Sequence, residues 1–532
     1  MSGSSGPEPG TRSLARNTAV FSLLTGLSRV AGLAREVLAS AYFGLSAGFS
    51  AFTLAFAVPN TVRAFFADAA LSSAFVPVFT ELLEQKRRKD ALQLATTLSL
   101  LVFTGLGAVT LLFDVGAPAF MPLLTGAELA PVQGLVNGLS QVLFPIVLLL
   151  GLNGLTVGIL QSYEHFTIPA LSPLIWNIVI MGFLVGGQRF LDDPDAQLYA
   201  YAAGIVVATA VQLLMSLPVL ARIGFRFVWP PDFGMPEVKR VFLLMLPVTI
   251  GLGLINLNVL INAFLGSLVS EDASKAIDNA FRIYMLPQGM FSVAIATVLF
   301  PTLSRFAARG DLAGVRRLLG SGMRQVLLLL VPCAALTLVL SVPITRLVFQ
   351  RGEFGPADTE LVATALFWFS FSLPTSGLNL LLTRTFFSLQ RPWLPTKLAG
   401  VNIGVNLAVS AALYSPFGVA GIVAGTAAGS LAMAFAQSIV LRRELGGIDA
   451  THTLNALVKI LVASAVLAGV SYVVWAGLDS VVGRSLAGQI VSVGGAIAVS
   501  GAVYIVLLRA LGVEELNRVE ALIRRRLGRS AS

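Results

Sequence analysis

Charge is what this 532-residue chain has least of. Asp, Glu, Lys and Arg together make up 12% of it, against 56% apolar residues and a mean hydropathy of +0.84. A soluble globular chain carries about 25% charged residues, so a water-soluble enzyme or binding domain is excluded. Cysteine occurs once, at Cys333 inside an apolar run, which rules out an internal disulfide and a thiolate metal cluster. The two histidines, His165 and His452, stand far apart and are read as loop or helix-end residues. No Walker-type phosphate loop is present, so ATP does not drive the protein directly. The one acidic cluster, Asp192, Asp193 and Asp195, has no histidine nearby and is read as a solvated loop. A membrane glycosyltransferase or phosphatase therefore has no residue set to stand on, and neither metal nor cofactor is expected.

What the chain has instead is apolar runs close to the ~20 residues that cross a bilayer as a helix. They recur at 18–43, 49–82, 91–113, 134–161, 168–187, 198–221, 238–268, 279–306, 322–346, 359–388, 395–414, 417–441, 455–478 and 486–510. The runs are continuous rather than alternating, which excludes a closed β-barrel. The expected fold class is an all-α polytopic membrane protein with about 14 transmembrane helices. Residues 1–13 are rich in Gly, Ser and Pro and are expected to be disordered. They form no signal peptide, because the apolar run that follows is too long and carries arginines.

The net charge of +9 does not point to nucleic acid, because the basic residues sit at helix ends. Alternate links are basic: Lys86 to Lys89, then Arg222, Arg226, Lys239 and Arg240, then Arg309, Arg316 and Arg317, then Arg391 and Lys397, then Arg442 and Arg443. The other links hold little beyond Arg189, Lys275, Arg346, Arg351 and Arg484. The link at 162–167 is the exception, having neither Lys nor Arg. By the positive-inside rule both termini are expected in the cytoplasm, an orientation that an even number of spans permits.

An internal repeat is visible. Gly151, Leu152 and Asn153 are followed by Ser162 and Pro169; Gly377, Leu378 and Asn379 are followed by Ser388 and Pro395, all at an offset of 226. A weaker echo pairs Pro59 and Pro77 with Pro287 and Pro301. Two pseudo-symmetric six-helix lobes plus two extra C-terminal helices are the simplest account. The expected divisions are an N-lobe at 14–222, a C-lobe at 223–443, the last two helices at 444–511 and a basic cytoplasmic tail at 512–532. Repeated halves with a site at their interface are a common plan for transporters.

Arg29, Arg35, Glu36 and Arg63 lie in stretches otherwise fit to cross a membrane. An arginine at the bilayer centre costs roughly 2.5–3.5 kcal/mol on insertion scales, so it faces water or a partner. On a helix Arg29 and Glu36 share one face and Arg35 lies on another flank. Gly26 and Gly32 make a bend plausible, and Pro59 frees a backbone carbonyl one turn before Arg63. A bent first pair of helices aims three guanidiniums into one space, and a guanidinium binds phosphate oxygens bidentately, so a diphosphate is the natural partner. The alternative for a single arginine is snorkelling to the interface. Arg282 reads equally as a cavity residue or as an outer anchor beside Asp278, and Arg384 as a snorkelling residue. Asp68 and Glu81 are candidate counter-charges.

The segments at 28–36, 58–79, 286–311, 349–359 and 386–397 (SRVAGLARE, VPNTVRAFFADAALSSAFVPVF, LPQGMFSVAIATVLFPTLSRFAARGD, FQRGEFGPADT and FFSLQRPWLPTK) resemble the MurJ/MviN lipid II flippases of the multidrug/oligosaccharidyl-lipid/polysaccharide exporter superfamily. The resemblance covers roughly residues 14–510. It implies fourteen helices in two lobes around a central cationic cavity, with the last two helices forming a groove for the polyprenyl tail. It further implies alternating access that carries lipid II, an undecaprenyl-diphosphate-linked disaccharide pentapeptide, across the bacterial cytoplasmic membrane for cell-wall synthesis. The family's functional arginines match at Arg29, Arg35, Arg63 and Arg282, with Asn60 after Pro59 and the acidic Glu36. Two positions depart: Ser50 stands where the family often has aspartate, and Phe281 where some relatives carry an acid. No cofactor is implied beyond coupling to the membrane potential or a monovalent cation. Expected partners are membrane lipids and the cell-wall synthesis machinery, not nucleic acid, around a monomer. Two other functions stay open: a carrier of another polyprenyl-diphosphate glycan or a multidrug/cation antiporter, and, in a different class, a non-transporting scaffold of envelope assembly.

Overall fold

The computed structural model describes residues 9–66, 69–163, 165, 167–391, 393–513 and 515–516, and among these residues it is helical throughout, without a strand. Ten segments are long and apolar enough to cross a membrane, and three of them, Ala127–Ser162, Ala273–Ala308 and Trp393–Glu444, hold more than one helix. Among the described residues, all fourteen apolar runs fall on helices. The stretches at 18–43, 49–82 and 238–268 are not among the ten, so fourteen crossings stay an expectation.

The chain forms two compact units, Met1–Ser274 and Lys275–Ser532. The first contains α1 (Pro9–Phe43), α2 (Ala47–Phe66), α3 (Ala69–Glu84), α4 (Arg88–Leu124), a 3-10 turn (Ala127–Val132), α5 (Gln133–Leu143), α6 (Ile146–Ser162), α7 (Thr167–Phe190), α8 (Pro194–Arg222) and α9 (Pro236–Gly266). Its core is built on α2, where Phe52 stacks on Tyr201 of α8 at 4.5 Å between ring centroids. Asp193, from the acidic loop, caps α8 by accepting the Ala196 N–H at 3.0 Å, which satisfies one of the N–H groups a helix start leaves open. The packing boundary falls beyond 222 because α9 lies against α2, α3 and α4. The division at 222/223 was drawn on the repeat, which is a separate property.

The second unit opens within α10 (Ala273–Pro287), followed by a π-helical turn (Gln288–Ser292), α11 (Val293–Ala308), α12 (Leu312–Val339), α13 (Ser341–Phe349), α14 (Pro356–Ser388), α15 (Trp393–Phe417), α16 (Val419–Glu444), α17 (Ala450–Val482) and α18 (Leu486–Ala510). In this unit α14 packs on α11, α12, α13 and α16, and α17 with α18 docks on α12. Arg324 of α12 ties that docking at one end: it pairs with Asp449, the residue before α17, at 2.8 Å and donates to Glu515, just past α18. In α16, Gly421, Gly425 and Gly429 meet the backbone of α15 so closely that a Cβ on Gly421 would lie 2.1 Å from the Leu413 carbonyl oxygen. Small residues at such spacing are how membrane helices without a hydrophobic drive come together.

The repeat has a structural counterpart in each unit. Ser162 ends α6 and Ser388 ends α14, while Pro169 and Pro395 fall in the first turn of α7 and α15, where proline is tolerated. A Cβ on Gly151 would strike Leu106 and Val102 of α4, and one on Gly377 would strike Leu330 and Val326 of α12. Each repeat glycine thus lies under an aliphatic pair four residues apart on its neighbour. The match exists because a short side chain is needed at the same helix crossing twice.

Candidate functional site

Helix α1 runs unbroken through Gly26 and Gly32. It backs onto α7. Asn177 donates to the Ser28 carbonyl at 3.4 Å, and a Cβ on Gly32 would sit 3.7 Å from the Asn177 side chain. That packing buries Arg35, which is 8% exposed. Its Nη2 lies 2.5 Å from the Glu36 carboxylate, and its guanidinium carbon stands 4.8 Å from the centroid of Trp176. Trp176 is itself fixed, donating Nε1–H to Thr209 of α8 at 3.0 Å. The indole face and the carboxylate hold one side of the guanidinium, by cation–π attraction and by charge. Nε and Nη1 of Arg35 are buried with no hydrogen-bond partner.

Glu36 is buried and Arg29 exposed although they share a face, because burial increases along α1 toward its C-terminal half. The residue that reaches Glu36 is its neighbour Arg35, whose long side chain spans the ~100° between consecutive positions.

Helix α2 supplies buried Pro59, half-buried Asn60 and half-buried Arg63 one turn further on. Asn60 donates to Asn256 of α9 at 3.3 Å, an asparagine that the motif search passed over although Asn256, Asn258 and Asn262 recur in an apolar helix. Ser50 is fully buried and its hydroxyl has no hydrogen-bond partner. Asp68 lies outside the described residues. Glu81 pairs with Arg240 at 2.8 Å, both exposed, so its partner is none of the candidate site arginines.

Arg282 belongs to the second unit, where its Nε bonds Asp278 at 3.1 Å. The same carboxylate takes Lys275 Nζ at 3.0 Å, and Lys275 is only 2% exposed. Lys275 thus corrects the expectation of an ordinary link charge: it opens α10 and is buried. Its signal was the spacing 275, 278, 282, which sets all three on one helical stripe. Phe281, one of the two departures from the resemblance, stacks at 5.6 Å on Tyr284, which donates to Ser376 at 2.6 Å. An acid stands one turn away, at Asp278. Arg384 lies over the Phe300 ring at 5.5 Å. Among the described residues no three His, Cys, Asp or Glu side chains gather as a metal group.

Comparison with known proteins places the chain in a family. The family model described as "Lipid II flippase MurJ" matches residues 39–487. The chain belongs to the MurJ family. It is 31% identical over 385 residues to the probable lipid II flippase MurJ of Rhizobium meliloti, covering 71% of each chain. With the lipid II flippase MurJ of Burkholderia cenocepacia it shares 29% over 385 residues, 70% of this chain and 73% of that one. A solved MurJ flippase in an inward closed conformation shares its fold with a TM-score of 0.75 at 20% identity, over 93% of this chain and 99% of that chain. An inward-facing multidrug-resistance MATE transporter shares it at 0.66 and 14% identity, over 80% of this chain and 98% of that chain. The MurJ fold thus extends to exporters of other cargo, and the arginines rather than the fold carry the cargo question.

Proposed function

We infer that the protein moves lipid II from the inner to the outer leaflet of the bacterial cytoplasmic membrane by alternating access through an arginine-lined cavity. The cargo follows from the family. The observation that supports a diphosphate-binding role is Arg35, a buried guanidinium with two hydrogen-bonding nitrogens unpartnered. A buried donor without an acceptor costs about 1–3 kcal/mol, and a phosphate oxygen is the acceptor that repays it bidentately.

In this mechanism Arg29, exposed on α1 almost two turns before Arg35, meets the head group first. Arg35 and Arg63 take the diphosphate, and Arg282 exchanges Asp278 for it. Carrying the polar head through hydrocarbon unaided is prohibitive, so the cationic chamber substitutes for its water. Return of the empty, positive carrier is driven by an inside-negative potential, worth about 2.3 kcal/mol per charge at 100 mV. Unchanged flipping after collapse of the potential alone removes that step. Both termini lie in the cytoplasm.

The test is rescue of cells depleted of their own lipid II flippase, with wild type beside Arg29→Ala, Arg35→Ala and Arg63→Ala at matched membrane levels. Growth with wild type and failure of the three variants supports cargo and cavity together. Failure of correctly inserted wild type shifts the cargo to another polyprenyl-diphosphate glycan. Growth with all four makes the arginines interfacial anchors and removes the arginine-cavity mechanism.

A further inference from the structure

At the end of the second unit opposite Arg324, two arginines, Arg346 of α13 and Arg484 of the link between α17 and α18, flank the Asp479 carboxylate of α17, with Trp475 one turn earlier on α17 and Gln489 in the first turn of α18. Asp479 lies 3.7 Å from Arg346 and 3.8 Å from Arg484, ion pairs too long to be hydrogen bonds. Arg346 and Asp479 are 15% and 14% exposed, so neither is rinsed by bulk solvent. Four buried polar atoms here have no hydrogen-bond partner: Arg346 Nη1, Trp475 Nε1, Asp479 Oδ1 and Gln489 Oε1. Gln489 is held in place by its other end, which donates to the Arg484 carbonyl at 2.8 Å. The site thus offers two donors and two acceptors without a hydrogen bond, of which Arg346 Nη1 and Asp479 Oδ1 face each other at 3.7 Å, and a net charge of +1.

Its depth says what reaches it. Helix α17 has 33 residues, about 50 Å at ~1.5 Å per residue, against a hydrocarbon core of about 30 Å. For a helix centred on the bilayer, Trp475 sits within a turn of the hydrocarbon boundary and Asp479 one turn beyond it, at headgroup level. Tryptophan at that depth is the usual interfacial anchor, apolar body inward and N–H toward the headgroups.

We propose that Arg346, Trp475, Asp479, Arg484 and Gln489 form a phospholipid headgroup site in the outer leaflet, taking a phosphodiester whose terminal group carries hydrogen-bond donors. The phosphate lies between the two guanidiniums and receives the Trp475 N–H. The ammonium of an ethanolamine or the hydroxyls of a glycerol donate to Asp479 and Gln489. A choline headgroup offers the same phosphate and no donor. The site is remote from the cargo arginines in sequence and does not depend on the cargo.

The experiment is native mass spectrometry of the delipidated full-length protein, titrated with phosphatidylethanolamine, phosphatidylglycerol and phosphatidylcholine of identical acyl chains. Wild type is expected to hold the first two about tenfold more tightly than the third, the worth of one charge-assisted hydrogen bond. Asp479→Asn is expected to abolish that preference, and Arg346→Gln to weaken all three lipids about tenfold. Should either variant fold poorly, Arg484→Gln, at a side chain 74% exposed, and Trp475→Phe report on the phosphate alone. Whichever donor headgroup binds tighter identifies the source. Equal retention of the three lipids by wild type, or unchanged retention in folded variants, overturns the site.

Discussion

Tyr504 of α18 donates its hydroxyl to the main-chain oxygen of Leu328 in α12 at 2.8 Å, and Pro332 is the reason that oxygen is available. A proline has no N–H, so the carbonyl four residues before it loses its helical partner. In hydrocarbon an unpaired carbonyl is costly, and the neighbouring helix supplies the missing donor. Tyr504→Phe is expected to destabilise the detergent-solubilised protein by about 1–3 kcal/mol. Pro332→Ala restores a helical donor to Leu328, so the same Tyr504→Phe change made in that background costs little. Melting temperatures of the four proteins decide it; an equal loss in both backgrounds means that Tyr504 acts by packing alone.

The glycines of α15 and α16 separate into two kinds. A Cβ on Gly421 meets the backbone oxygen and carbon of Leu413 at 2.1 and 2.5 Å, and backbone cannot rotate out of the way. Gly404, on α15, has nothing within 4 Å of its built Cβ. Gly421→Ala is expected at or above the top of the about 1–3 kcal/mol overpacking range. Gly404→Ala is expected to be neutral or to stabilise by up to about 1 kcal/mol through helix propensity. Thermal unfolding of both in the same detergent checks the contrast, and similar melting temperatures refute the close packing of α15 on α16.

The link between α12 and the last two helices has a pH limit. Burial pushes the Asp449 carboxyl up, but hydrogen bonds from Arg324 and His452 outweigh it, and the group ends below the usual aspartate value. A depressed carboxylate stabilises the fold fully above its unfolded value of ~3.9 and loses that contribution as pH falls through the folded value. The melting-temperature gap between wild type and Asp449→Asn is therefore expected to hold between about pH 7 and pH 5, to shrink below about pH 4 and to close at lower pH. Glu515 remains on Arg324 in both proteins, so the gap reports Asp449. A gap that widens on acidification contradicts the pairing.

The helices were legible because hydrophobic runs in lipid must satisfy their own backbone, which leaves helix as the only continuous solution. The repeat was legible through Gly151 and Gly377, whose lack of a side chain is dictated by one crossing made twice. The arginines stood out by type in an apolar context, but their partners did not. Glu36 belongs to Arg35 because burial along α1 is set by α7, which lies far off in sequence. Trp176 looked like any membrane tryptophan until its ring proved to be the platform under that guanidinium. The Tyr504 hydroxyl, the Arg324 pairs and the Arg346–Asp479 pair all join residues distant in the chain. Periodicity sees only one helix at a time.

Asp278 carries the remaining test, because it holds two cations of unequal burial. Lys275 is 2% exposed and Arg282 has a side chain 31% exposed, so losing the shared carboxylate weighs more on the lysine than on the arginine. Breaking a buried pair from one side costs about 3–5 kcal/mol, whereas removing both charges is often neutral. Asp278→Asn is therefore expected to lower the melting temperature sharply, and Lys275→Met added to it to recover most of the loss. Transport then separates structure from positioning. If the recovered double variant folds well and still flips poorly, with activity restored by Asp278→Glu in the wild-type background, Asp278 sets the orientation of Arg282. If the double variant flips at the wild-type rate, Asp278 serves Lys275 alone, and Arg282 finds its orientation without it.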